Sequence, residues 1–60
     1  MNIRETLIEL NKIMSDAQVG RAVGAPQSII TRLRNGVTKQ TSYDRGEAIK
    51  NLARQNNIYW

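Results

Sequence analysis

The stretch that decides the fold is DAQVGRAVGAPQSIITRLRN, residues 16–35. Two glycines and a proline punctuate it. Gly24 can take the left-handed backbone conformation that ends a helix. Pro26 has its φ pre-set and lacks only an N–H that finds no partner in a first helical turn, so it suits the start of another helix. The pattern predicts a helix over Asp16–Val23, a break of three residues, and a second helix over Gln27–Asn35 closed by Gly36. Helices joined by so tight a Gly-containing turn cross steeply, the arrangement of a helix-turn-helix unit. Ser15 caps the first helix of the pair, and Gln18, three residues on, completes a capping box. Val19, Gly20 and Val23 are expected to face inward. An interior Gly costs about 1 kcal/mol relative to Ala, so Gly20 calls for a reason, and close approach of another helix is the expected one.

At about 100° per residue, the second helix of the pair sorts into two faces. Ile30 and Leu33 point together toward the core, with Ile29 at their edge. Ser28, Arg32 and Asn35 fall on the opposite side, Thr31 beside them, and Gln27 sits at the exposed tip. This outer face carries amide, hydroxyl and guanidinium groups and no acid. Such groups read base edges and phosphates; Gln pairs bidentately with adenine and Arg with guanine.

The charge distribution bears on the same segment. The chain of 60 residues carries a net charge of +4. Residues 17–43 hold Arg21, Arg32, Arg34 and Lys39 and no acid. Outside that window Arg4, Lys12, Arg45, Lys50 and Arg54 are balanced by Glu5, Glu9, Asp16, Asp44 and Glu47. A basic window on an otherwise neutral chain is either the footprint of a polyanionic partner or a solvated face that aids solubility.

Working outward, Asn2 with Glu5 gives the start signal of a first helix, whose apolar stripe is Ile3, Leu7, Leu10 and Met14. Residues 37–41 form a polar connector, after which Ser42 or Thr41 caps a fourth helix over Tyr43–Gln55. Asp44 in its first turn, and Lys50 and Arg54 near its end, complement the helix dipole. Ile49, Leu52 and Ala53 make its apolar stripe, with Tyr43 and Gly46 on the same side. The closing residues NNIYW show no clear structure. The expected architecture is all-α: one four-helix domain over residues 1–57, with 58–60 as a tail.

Composition narrows the function classes. With no Cys and no His, disulfides and a Cys/His zinc site are excluded. Phe is also absent, so the core falls to Ile, Leu, Val, Ala and Met. No apolar run approaches the ~18 residues of a membrane span, and no secretory leader is recognisable; a cytoplasmic place is expected. Enzyme activity is not expected either: there is no phosphate-cradling Gly loop, no metal-ligand cluster and no nucleophile with a base in reach. Glu5 and Glu9 share one row of the first helix, which reads as a solvated face. No cofactor or metal is implied.

With these residues in place, the segment resembles the helix-turn-helix of Cro/cI-type phage repressors and their small relatives. The resemblance rests on Gly20 early in the first helix of the pair, Gly24 at the turn, and Ile30 and Leu33 three apart on the recognition helix. The ending Leu33-Arg34-Asn35-Gly36, and Ser42-Tyr43-Asp44 leading to Gly46, are similar as well, so the resemblance covers residues 3–56. It implies a compact four-helix, lambda-repressor-like DNA-binding domain. The implied function is a sequence-specific double-stranded DNA-binding transcriptional regulator, most simply an autoregulating repressor.

The resemblance further implies that Gln27, Ser28 and Arg32, with Thr31 beside them, face base edges. Phosphates would be held by Gln18 and Arg21, by Arg34 and Asn35 at the end of the recognition helix, and by Lys39, Thr41, Ser42 and Tyr43, contacts that position rather than specify. The family commonly has Gln at the first motif position, where its amide contacts a phosphate. Here that position is Asp16, which a phosphate would repel and which suits the helix start instead.

The implied partner is a two-fold operator read by a homodimer, with half-sites about 34 Å apart. Ile58, Tyr59 and Trp60 would form its interface or else fold back over the chain's own core; the C-terminal half of the fourth helix is the other candidate surface. Fold does not fix function. A protein-interaction module of the same fold, antitoxin-like or antirepressor, is therefore the alternative reading. Nonspecific or RNA binding is disfavoured because the recognition helix lacks aromatic stacking platforms.

Overall fold

Most helix ends are set by a residue of definite chemistry. The computed structural model describes residues 2–38 and 41–59 and among them holds four helices and no strand: α1 (Ile3–Leu10), α2 (Asp16–Val23), α3 (Gln27–Asn35) and α4 (Tyr43–Gln55). The Asn2, Ser15 and Ser42 side chains accept the third backbone N–H of α1, α2 and α4 respectively. At α2 the box is complete, because the Gln18 Oε1 in turn accepts the Ser15 N–H at 2.9 Å. Gly24 (φ +75°) and Gly36 (φ +80°) end α2 and α3 in the left-handed region, where a Cβ is disfavoured.

All four helices contribute to one core. Leu7 and Leu10 of α1, Val19 of α2, Ile30 and Leu33 of α3, and Ile49 and Ala53 of α4 are buried, and Ile3, Met14, Val23, Ala25, Ile29 and Leu52 pack against them. The apolar stripes read from the sequence are the faces that meet. Two details differ. Helix α1 stops at Leu10, because the chain tightens to i→i+3 bonds (Lys12 N–H to Glu9 O, 3.1 Å; Ile13 N–H to Leu10 O, 3.0 Å); Met14 reaches the core from the turn beyond. Tyr43 is 81% exposed rather than part of the α4 stripe.

Residues 56–58 turn back on the fold, the second of the two arrangements expected of the tail, although no structure is legible there in the sequence. Asn57 takes the left-handed conformation (φ 63°). Its N–H bonds the Arg54 carbonyl at 3.1 Å, and the Ile58 N–H bonds the Ala53 carbonyl at 2.9 Å. This pair of bonds is a Schellman motif, with the hydrophobic residue after the left-handed one turned back on the helix. Ile58 accordingly packs against the chain's own core, and Tyr59 stays exposed. Trp60 lies outside the described residues.

Gly20 also has a different reason from the expected one. A Cβ there would stand 2.5 Å from the Ala25 carbonyl oxygen and 3.5 Å from Gln27 N and Pro26 C. The close neighbour is the backbone of the turn, not a helix face. The same turn is fastened to Gly20, whose carbonyl accepts the Ala25 N–H at 2.8 Å. Helix propensity alone favours Ala at this position by about 1 kcal/mol, whereas displacing backbone to admit a methyl costs about 1–3 kcal/mol. Gly20→Ala is thus expected to lower the urea midpoint; a raised midpoint would show that the turn yields freely.

Candidate nucleic-acid interface

The outer face of α3 is set by what its inner face must bury. With Ile30 and Leu33 in the core and Ile29 half-buried beside them, Gln27, Ser28, Arg32 and Asn35 are all exposed. None of these four takes part in a side-chain hydrogen bond or ion pair among the described residues. The start of α3 differs from the other three: Pro26 precedes it with no side-chain cap, and its carbonyl accepts the Ile29 and Ile30 N–H groups at 3.1 and 3.4 Å, so among the described residues the Gln27 and Ser28 N–H groups, with their partial positive charge, are left to an outside partner. Sequence reasoning missed this vacancy, although a proline before Gln27 is its signal.

Two of the residues expected to contact nucleic acid have side-chain partners within the fold. The Thr31 hydroxyl donates to Asp16 Oδ2 at 2.8 Å. The Arg34 guanidinium donates to both carboxylate oxygens, Nη2 to Oδ2 at 3.1 Å and Nε to Oδ1 at 3.2 Å. Asn11, in the turn after α1, adds a hydrogen bond from its side-chain Nδ2 to Oδ1 at 2.6 Å. Asp16 therefore ties the first turn of α2 to α3 and to the end of α1, rather than only stabilising a helix start. It also sits one residue outside the acid-free window and neutralises one of that window's four basic residues.

The remaining expected contacts fall into three groups. Arg21 lies exposed in the last turn of α2 and Tyr43 at the start of α4. Gln18 and Ser42 are exposed but serve as caps, through Oε1 and Oγ respectively, which leaves the Gln18 NH2 and the Ser42 hydroxyl proton for other partners. Thr41 turns inward: its Oγ1 is buried and has no hydrogen-bond partner among the described residues, while its methyl lies 3.6 Å from the position a Cβ would take at Gly46. Lys39 lies outside the described residues.

The Asp16 cluster sets a pH dependence. Burial pushes the carboxyl pKa up, but hydrogen bonds from Arg34, Asn11 and Thr31 and the charge of Arg34 outweigh it, so the net displacement is below the ordinary value of 3.8. A carboxyl depressed in the folded state contributes stability that is complete above its unfolded pKa and is lost as pH falls through the folded one. Asp16→Asn should accordingly destabilise the chain at neutral pH by about 1.5–3 kcal/mol, the range for hydrogen bonds to a charged group. The gap between variant and parent should close as the pH is lowered below 3.8. Denaturant titrations at a series of pH values check this, and a gap independent of pH would contradict it.

Compared with family models, curated proteins and solved structures, the chain finds no match.

Proposed function

We propose that the chain is a sequence-specific double-stranded DNA-binding regulator, an autoregulating repressor of the Cro/cI kind, that lays α3 in the major groove. The observation that carries this reading is the exposed, acid-free row of Gln27, Ser28, Arg32 and Asn35 on a helix whose other face is locked in the core. The uncapped start of α3 adds donors at the same end as Gln27 and Ser28.

In this reading Gln27, Ser28 and Arg32 meet base edges, while Arg21, Asn35, Lys39, Ser42, Tyr43 and the Gln18 amide hold phosphates. Thr31 and Arg34 act on the complex indirectly, by fixing α3 against Asp16. Three readers per protomer discriminate weakly, which favours a homodimer on a two-fold operator with half-sites about 34 Å apart. With Ile58 taken up by the core, the exposed Tyr59 ring is the part of the described tail available to a second copy.

Selection of bound duplexes from a random library tests the proposal, and the expected product is a palindromic consensus. Binding without sequence preference at physiological salt would overturn it. Arg32→Ala should cost about 1–3 kcal/mol and relax the preference at one base pair per half-site. Lys39→Ala should weaken binding to every duplex alike and reduce the salt slope by about 1. Thr31→Val, which removes only the bond to Asp16, should lower stability by about 1 kcal/mol and leave the consensus unchanged.

A further inference from the structure

Arg4 is badly placed for a residue that serves only its own helix. It lies in the first turn of α1, where the helix dipole disfavours a cation, and outside the basic window of the sequence. Its side chain crosses instead to the far end of α3. There its Nε donates to the Arg34 carbonyl oxygen at 3.2 Å. Its Nε, Cδ and Cζ lie 3.5–3.7 Å from the position a Cβ would take at Gly36. That is ordinary van der Waals contact, so Arg4 packs directly over Gly36, whose positive φ is what favours glycine there.

One N–H of five is used in this bond. Ion pairs join Lys12 to Glu9, Arg34 to Asp16 and Lys50 to Glu47, and among the described residues no acid pairs with Arg4. The guanidinium borders a cleft of about 500 Å³ between the start of α1 and the end of α3, floored by Ile3 and Leu33 and edged by Asn2, Asn35 and Thr38. A cation with two uncommitted NH2 groups, beside an amide and a hydroxyl and with no carboxylate in the lining, is suited to a singly charged oxyanion. The cleft adjoins Asn35 on the exposed row of α3 and the connector that follows Gly36.

We infer that Arg4 is a phosphate-binding residue that carries the nucleic-acid interface from α3 onto α1, taking a backbone phosphodiester in this cleft; the inference rests on the DNA-binding reading above. Arg4 also offsets the negative end of the α3 dipole. Without it, a phosphate beside that helix end would be repelled by the last carbonyls.

The test compares the full chain with Arg4→Gln and Arg4→Lys, each held well below its own melting midpoint. Anisotropy titrations over a salt series use one selected and one random duplex. Arg4→Gln is expected to weaken both duplexes by a similar factor of about 3–10 and to flatten the log K against log salt slope by about 0.9, the value for one phosphate contact. The selected consensus should stay the same, and Arg4→Lys should keep the slope, since it keeps the charge without the planar fork. An unchanged slope for Arg4→Gln, accompanied only by a lower melting midpoint, would reduce Arg4 to a helix cap and overturn the inference. Sequence-indifferent binding by the parent chain would sink the repressor reading yet leave the slope comparison intact. No duplex binding at all would overturn both.

Discussion

A carboxylate whose side chain is only 10% exposed must be met by donors, and at Asp16 three residues from two separate segments supply them. Asn11 supplies one from the turn after α1, and Thr31 and Arg34 supply the others from successive turns of α3. The apolar contacts of Ile30 and Leu33 decide which side of α3 is inward, but hydrophobic burial is non-directional and leaves small rotations of a nine-residue helix cheap. Bonds with preferred lengths and angles do not. The Asp16 cluster therefore fixes the angular setting of α3 about its own axis, and with it where Gln27 and Arg32 point.

The rest of the fold depends on the same economy of few, specific fastenings. A chain this short buries only about 60% of the surface its unfolded form exposes, and the buried apolar set here is small: Leu7, Leu10, Val19, Ile30, Leu33, Ile49 and Ala53. Individual helix ends are correspondingly large fractions of the total. An N-cap contributes about 1 kcal/mol, and α1, α2 and α4 each have one. The missing cap on α3 is then a real concession, made at the end of the helix carrying the exposed polar row.

The bounds of α2, α3 and α4 were legible because each ends or begins on a residue whose steric or hydrogen-bonding reason is local: Ser15, Gly24, Pro26, Gly36 and Ser42. Where the local reason weakens, so does the reading. Asn57 prefers the left-handed region far less strongly than Gly does, and the neighbouring Asn56 offers a second candidate, so the turn that folds Ile58 back was not visible. Nor was the end of α1, which has no Gly and is closed by bonds that skip three residues. The outer face of α3 was readable from periodicity alone. The ties of that face were not: Asp16 lies 15 and 18 residues from Thr31 and Arg34, and Arg4 lies 30 from the Arg34 carbonyl it caps. No spacing rule reaches so far.

These long-range ties change the meaning of the charge pattern. Counted along the chain, the basic excess belongs to residues 17–43. In the fold, Asp16 enters the window from one side and cancels Arg34, while Arg4 enters from the other and stands beside Gly36 with no acid paired to it among the described residues. The positive surface is thus moved rather than reduced, away from the junction of α2 with α3 and toward the end of α3 nearest the connector. The added charge of Arg4 thus stands at that end, while the exposed polar row begins at Gln27, the other end of the same helix. An α-helix rises about 1.5 Å per residue, so about 12 Å separates Gln27 from Asn35. That is roughly the width of a major groove; on the DNA-binding proposal the span would set Arg4 apart from Gln27 and Ser28.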